Sequence, residues 1–166
     1  SPTLPTGFSG RVLLEAESFC NQSSIPSTTI RFSGIYGGGR SHLIKQVQTH
    51  QAKLSSDSRL TNRIHEDDCV GFIQHLIQEE ISGRTNKSLY LASDNMPIDL
   101  NDVIKFLASN LDIKALEKPS ENAARRRAGN KRCNNKRMLE SGYKLPFPSY
   151  QEGYLAMIKS AKNTNS

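Results

Sequence analysis

The stretch 30–40 constrains the fold more than any other, because a short apolar run leads directly into three consecutive glycines. Residues 28–32 are mostly β-branched or aromatic over a short span, which predicts a buried strand. Gly37, Gly38 and Gly39 admit backbone conformations that other residues avoid, so they predict a loop. In an open α/β sheet, ligands bind outside the carboxyl ends of the strands. The stretch therefore predicts either a ligand-binding loop or a plain turn at the end of a strand.

The apolar periodicity in the rest of the chain predicts an α/β order of elements. Asp68 is predicted to cap a helix whose buried face carries Val70, Ile73 and Ile77, and Asp99 to cap another. Ser149 and Glu152 form a capping box before a final helix. The other predicted elements are helices over 9–20 and 41–53, a strand over 88–92, a short helix over 134–141 and an exposed, lid-like stretch over 55–62.

Only two clear strands are predicted, which is too few for an independent doubly wound sheet. No glycine-rich dinucleotide motif follows an opening strand. We therefore predict an α/β chain that is the C-terminal portion of a larger Rossmann-like fold, with the dinucleotide-binding half absent. The start at Ser1 without a Met adds the expectation of a fragment or a processed form. An incomplete sheet also predicts exposed apolar faces, and hence a partner: the N-terminal half or another copy of the chain.

The charge balance favours anionic partners, because 22 Lys and Arg residues face 16 Asp and Glu residues. Three scattered cysteines, Cys20, Cys69 and Cys133, favour a reducing compartment, so we expect a cytoplasmic protein. No apolar run is long enough to span a membrane and no signal peptide is recognised, so no membrane partner is expected. His65 and Cys69 have helical ligand spacing but lack a third ligand, so no metal site is predicted.

Four stretches of the sequence carry a resemblance to a known family. Residues 9–17 are similar to a catalytic helix of the form Tyr-x-x-x-Lys-x-x-x-Glu, and residues 31–40 to the pattern Arg-x-x-Asn-x-Tyr-Gly-Pro. Residues 63–70 are similar to Ile/Val-His-Val-x-Asp-Val, and residues 130–153 to a C-terminal tail. Together they resemble the C-terminal part of extended short-chain dehydrogenase/reductases, the NAD-dependent epimerase/dehydratases that act on nucleoside-diphosphate sugars. The tail resembles that of a subgroup assigned as sugar epimerases.

The resemblance implies a function and a set of site residues. NAD or NADP would bind in the absent half, and a nucleotide-sugar-like ligand would bind this chain. Residues 1–62 would form the end of the Rossmann core and the active-site loop, and residues 63–166 mainly the substrate region. Phe32, Ser33 and Ile35 would line the nicotinamide side of the cleft. Arg132 would contact the ligand diphosphate, and the other substrate-binding residues would be Gly34, Tyr36, Arg40 and Arg63.

The departures from the family pattern concern its catalytic pair. Ser9 occupies the Tyr position and Leu13 the Lys position, while Gly34 replaces the Asn and Gly38 the Pro. A serine hydroxyl is far less acidic than a phenol, and leucine supplies neither charge nor hydrogen-bond donor. No catalytic residue is therefore assigned. Two hypotheses stay open: an NAD(P)-dependent epimerase/dehydratase or reductase, and a non-catalytic dinucleotide-binding sensor or scaffold.

A basic cluster near the C-terminus has three interpretations. It could be a solvated surface, a contact for the ligand diphosphate, or a nucleic-acid interaction module. The last is disfavoured because no aromatic residues are interleaved for stacking and no recognition motif is present. The cluster comprises Arg125, Arg126, Arg127, Lys131, Arg132, Lys136 and Arg137.

Overall fold

The structure is a computed structural model that describes residues 7–57, 59–114 and 131–164. Arg125, Arg126 and Arg127 of the basic cluster lie outside the described residues. Six helices and six short strands alternate along the described part. They are α1 (Phe8–Gln22), β1 (Thr29–Phe32), β2 (Gly34–Tyr36), α2 (His42–Gln48), β3 (Leu60–Thr61), β4 (Arg63–His65), α3 (Glu66–Ile81), β5 (Leu89–Ala92), β6 (Ile98–Asp99), α4 (Leu100–Asn110), α5 (Lys136–Glu140) and α6 (Tyr150–Thr164).

The strands associate in pairs, and two of the three pairs are parallel. Strand β1 pairs with β5, and β2 pairs with β4, both in parallel register. The short strands β3 and β6 pair antiparallel. The predicted strand before the glycines is thus confirmed, and so are the α/β class and its parallel pairing. The fold corresponds to a C-terminal portion of a Rossmann-like architecture.

Two local predictions around these strands differ from the structure. The predicted strand ends at residue 32, but Gly34–Tyr36 form a further strand, because Ile35 and Tyr36 pair with Ile64 and His65. The stretch 55–62 is predicted to be an exposed lid; residues 56 and 57 are exposed, but residue 55 and residues 60–61 are fixed by bonds to other elements. The Asn101 side chain accepts a hydrogen bond from Ser55 N at 2.9 Å and donates to the Ser55 carbonyl, and residues 60–61 pair with β6.

Helix α3 begins and packs differently from the prediction. Its N-cap is His65, whose side chain accepts a hydrogen bond from Asp67 N, and Asp68 lies one turn inside the helix, fully buried. The buried apolar residues are Cys69, Phe72 and Leu76, whereas Val70, Ile73 and Ile77 are exposed. Both sets have the spacing i, i+3, i+7, so periodicity alone could not decide which face is buried.

The buried side chains form two clusters on either side of the paired strands. The helical cluster joins Tyr36 to residues of α2, α4 and α6, including Val47, Leu107 and Tyr154. The sheet cluster joins Phe72, Tyr90 and Met138 to the partly buried side chains of Ile30, Phe32 and Ile35. Residues 29–36 therefore contribute to both clusters.

Helix α1 lies where the periodicity placed it but buries none of its residues. Phe8, Leu13 and Phe19 are 74%, 64% and 79% exposed. An ion pair between Glu17 and Arg31 of β1 connects α1 to the strands. The expected exposed apolar faces are thus present on α1 and on the outer face of α3. None of the helices in the described part is long and apolar enough to cross a membrane.

Candidate functional site

The candidate site lies where the continuous segment 29–36 changes from one neighbouring strand to another. Residues 29–32 pair with β5 and residues 34–36 pair with β4, so the change occurs at Ser33. The Ser33 N–H still donates to the Ala92 carbonyl at 2.9 Å, and the Gly34 N–H donates to the Asn62 carbonyl at 3.1 Å. Asp94 N, just past the end of β5, donates to the Arg63 carbonyl at 2.7 Å. These bonds bring together the carboxyl ends of β1 and β5 and the first residues of β2 and β4. In α/β sheets, ligands bind outside the carboxyl ends of the strands.

Asn62 connects the start of β4 to residues 131–133. Its side-chain amide donates to the Lys131 carbonyl at 2.8 Å, and its side-chain oxygen accepts from Cys133 N at 2.7 Å. Arg132 is exposed between these two anchored residues. Gly34 and Arg132, two predicted ligand contacts, are thus brought together through Asn62. We call Gly34, Asn62 and residues 131–133 the carboxyl-end site.

Asn62 was not among the sequence-based candidates, although its position could have suggested it. It directly precedes the Arg63–Val70 stretch that matches the family pattern, and an asparagine amide both donates and accepts. Asn135 has a similar role nearby. Its amide donates to the Ser93 carbonyl and to the Asn95 side chain, both at 2.8 Å. These two amides hold residues 131–135 against the strand ends.

A side chain at Gly34 would be tightly fitted against the neighbouring backbone. A Cβ at this position would lie 3.0 Å from the Asn62 carbonyl oxygen. The tightness follows from the same pairing that brings Asn62 to the site. The replacement of the family's Asn by Gly at position 34 therefore goes together with a close approach of two backbones.

Two predicted substrate contacts, Tyr36 and Arg63, are buried in this structure. Tyr36 is 4% exposed, packs on Tyr154 with ring centroids 4.5 Å apart, and donates to the Ser149 carbonyl at 3.5 Å. Burial raises the pKa of the Tyr36 phenol, so it stays protonated. The Arg63 guanidinium is 8% exposed and donates to the Thr61 hydroxyl. Their contact with a ligand stays a prediction.

The glycine loop holds a carboxylate of this chain. Gly39 N donates to Glu66 Oε1 at 3.3 Å, and a Cβ on Gly37 would lie 2.2 Å from Glu66 Cδ. The three glycines are therefore a socket for Glu66, which reaches them from the first turn of α3. Arg40 is exposed at the end of this loop.

The residues predicted to face the cofactor occupy mixed positions. Phe32, Ser33 and Ile35 are partly buried, and the Ser33 hydroxyl oxygen is covered and has no hydrogen-bond partner in the described part of the chain. Ser9 and Leu13 both lie on the exposed surface of α1, one turn apart. Within the described ranges no group of three His, Cys, Asp or Glu side chains could hold a metal ion.

Two buried carboxyl groups lie beneath the carboxyl-end site. Asp94 is 2% exposed and Asp68 is fully buried, and one oxygen of each has no hydrogen-bond partner among the described residues. Burial raises the pKa of Asp94 to about 7 and that of Asp68 to about 6. The charged forms are disfavoured mainly by burial, and for Asp94 the positive charge of Arg63 opposes the rise in pKa only in part.

We expect Asp94→Asn to remove part of the pH dependence of stability. A pKa raised in the folded state means that the folded chain binds the proton more tightly, so stability falls as pH rises from about 4 to about 7. The Asn variant should match the parent near pH 4 and exceed it at pH 8 by on the order of 3 kcal/mol. Urea unfolding at several pH values measures this. Asp102→Asn, on the exposed surface of α4, is the control. A stability difference that does not vary with pH would contradict the prediction.

Several solved structures of other proteins are similar to this chain over nearly its whole length. The chain aligns over 98% of its length with a protein from Methylobacillus flagellatus described as a candidate NAD-dependent epimerase/dehydratase, at 35% identity and a TM-score of 0.79, covering 56% of that chain. It is also similar to the human epimerase family protein SDR39U1 (isoform 2), solved with NADPH, at 17% identity, TM-score 0.77 and coverage of 98% of this chain and 58% of that one.

A third similar structure is UDP-glucuronic acid 4-epimerase from Bacillus cereus, solved with UDP-glucuronic acid and NAD. It is 16% identical, with a TM-score of 0.70 and coverage of 98% of this chain and 55% of that one. The chain therefore spans a little over half the length of the structures it matches. No family model matches the sequence, and the search of curated proteins found no match.

Proposed function

We propose that the chain is the C-terminal part of an extended short-chain dehydrogenase/reductase of the NAD-dependent epimerase/dehydratase type, and that it forms the substrate side of a nucleotide-sugar site. The observation that carries the proposal is the pair of Asn62 hydrogen bonds that hold residues 131–133 over the strand ends. They hold the backbone on both sides of the exposed Arg132, which supports a role for its guanidinium in contacting the ligand.

Arg132 has the chemistry for the charged part of such a ligand. A guanidinium binds two oxygens of a diphosphate at once through parallel N–H donors. The site needs such a donor because the glycine loop, the other potential anion cradle, is filled by Glu66. The surplus of positive charge over the whole chain also favours an anionic ligand.

The proposed cofactor is NAD or NADP, held mainly by residues beyond this chain. The residues that would reach it here do not fit the usual catalytic arrangement. Leu13 cannot donate to a ribose hydroxyl or lower the pKa of a neighbouring group, and Ser9 lacks the acidity of a phenol. We derive no proton or hydride transfer through these positions.

We expect Arg132→Gln to weaken binding of UDP-glucose by about 10- to 100-fold, since hydrogen bonds to charged groups contribute about 1.5–3 kcal/mol each. Isothermal titration of the protein with UDP-glucose and with UDP measures the change. Lys136→Gln is the matched control, because Lys136 is an exposed cation on α5 that pairs with Glu140 at 3.5 Å. Equal losses in both variants would indicate a general charge effect, and no loss in Arg132→Gln would refute the proposal.

A second candidate function is a non-catalytic sensor that binds the dinucleotide and its ligand without turnover. Ser9 and Leu13 favour it, because both positions of the catalytic pair lack the required chemistry. We expect UDP-glucose and NAD to bind without any change in nicotinamide oxidation state or sugar configuration. NMR of the sugar and nicotinamide fluorescence check this. Epimerisation at rates typical of enzymes would exclude the sensor and keep the enzyme.

For the third interpretation, a nucleic-acid module, two cations of the cluster have partners within the described part, although both side chains stay exposed. Lys136 pairs with Glu140, and Arg137 donates to the Leu89 carbonyl at 3.2 Å. Both side chains are directed to partners within the chain. The remaining described cations of the cluster, Lys131 and Arg132, lie at the carboxyl-end site.

A further inference from the structure

A cavity of about 600 Å³ lies away from the carboxyl-end site, with which it shares no residue. Residues of α2 and of the second half of α6 line it, and residues at the junction of β4 and α3 line one end. Its volume lies within the range typical of small-molecule sites. Apolar side chains from both helices form its walls, among them Ile44, Met157 and Ile158.

His65 brings an unused hydrogen-bond donor to this cavity. Its ring is 5% exposed and is enclosed by Phe147 and Tyr36, with centroids 4.0 and 5.2 Å away. Nδ1 accepts a hydrogen bond from Asp67 N at 3.2 Å, which places the proton of the neutral ring on Nε2. Burial lowers the pKa of His65, so the neutral ring is favoured. Within the described residues Nε2 has no acceptor, and His65 lines the cavity.

The charged residues of the lining balance one another. Glu66 and Asp67 lie beside His65, with the Asp67 side chain 70% exposed, and Lys45 and Lys162 lie along the helices. A single anion would face the two carboxylates, and a single cation would face the two lysines. A hydroxyl group suits a lining with both kinds of group, because it can donate to a carboxylate while it accepts from an N–H. Several hydroxyls on one ring would bond to His65, Glu66 and Asp67 and leave the C–H groups of the ring for the apolar wall.

We propose that this cavity is a second ligand site for a small, neutral, polyhydroxylated ring, such as a monosaccharide or a cyclitol. One hydroxyl accepts from His65 Nε2 and its neighbours donate to Glu66 and Asp67. The ring then lies against Met157 and Ile158 of α6. The proposal is independent of the nucleotide-sugar site, since none of its residues takes part there.

The test uses NMR of the protein with ¹³C-labelled histidine and follows the ring signals of His65. The probes are myo-inositol and D-glucose, with hexanoate and hexylamine as an anion and a cation of similar size. Ala161→Trp fills the cavity from an exposed position on α6, away from the polar end. Asn163→Trp, also exposed on α6 but outside the lining, is the matched control.

We expect a saturable shift of the His65 signal with myo-inositol or D-glucose, weakened at least tenfold in Ala161→Trp and unchanged in Asn163→Trp. Three results would overturn the proposal. They are no saturable shift with either polyol, a stronger response to hexanoate or hexylamine, and equal affinities in Ala161→Trp and the parent. Circular dichroism of both Trp variants shows that the comparison is made on folded protein.

Discussion

Replacement of Phe72 by alanine should destabilise the protein by about 3–5 kcal/mol. Phe72 is fully buried in the sheet cluster, where its ring meets Tyr90 edge-on at 5.3 Å and Tyr143 at 5.4 Å. Truncation removes these contacts and leaves a cavity that the surrounding rings cannot fill. Urea unfolding followed by circular dichroism measures the loss.

The matched control is the next residue along α3. Ile73 is 41% exposed, so Ile73→Ala should cost less than about 1 kcal/mol. The pair of variants tests which face of α3 is buried, because the apolar periodicity alone assigned Ile73 to the core. A larger loss for Ile73→Ala than for Phe72→Ala would restore that assignment and contradict the structure.

Replacement of Gly153 by alanine should also destabilise the protein, by about 1–3 kcal/mol. This is opposite to the general effect of such a change inside a helix, which stabilises by about 0.5–1 kcal/mol. Gly153 lies on the buried side of α6, where a Cβ would come 2.0 Å from the Tyr36 hydroxyl and 2.7 Å from Cζ. The Tyr36 ring cannot yield easily, because Tyr154 and His65 enclose it.

A double-mutant cycle makes the second prediction specific. Tyr36→Phe removes the atom nearest to the new methyl group, so Gly153→Ala should cost less in that background than in the parent. Thermal unfolding of the four proteins gives the coupling energy. An alanine variant as stable as the parent, or equal losses in both backgrounds, would show that the contact is not tight.

Patterns local in sequence predicted the elements that depend on one helix end or one strand. Asp99 caps α4 as expected, since its side chain accepts from Asn101 N at 2.8 Å. Ser149 caps α6 as expected, since its hydroxyl accepts from Gln151 N at 3.2 Å, and the same hydroxyl donates to the Glu152 carboxylate. Gly142 ends α5 with a left-handed backbone, as its position after 134–141 indicated. These features need only neighbours within four residues.

Features that depend on tertiary pairing could not be predicted from these patterns. The strand Gly34–Tyr36 forms because β4 lies beside it, and no propensity of Gly34 or Ile35 announces that partner. Asp68 is predicted as the N-cap of α3 because an acidic residue before an apolar run often has that role. His65 caps instead, and Asp68 turns inward, where the Tyr143 hydroxyl donates to it at 3.3 Å.

The candidate site was predictable in part. The resemblance pointed to Gly34 and Arg132, which are 98 residues apart, and Asn62 brings them together. It could not show that Glu66 would occupy the glycine loop, because the socket is formed by residues from two separate stretches. It also could not show that Tyr36 and Arg63 would be covered by α6 and the strand ends.

The change of partner at Ser33 has a consequence for how the molecule comes apart. One short backbone line supplies Tyr36 to the helical cluster and Phe32 to the sheet cluster. We expect neither cluster to unfold while the other keeps its packing, since both contain side chains of the segment 29–36. The two should lose protection against amide hydrogen exchange together, as one cooperative unit.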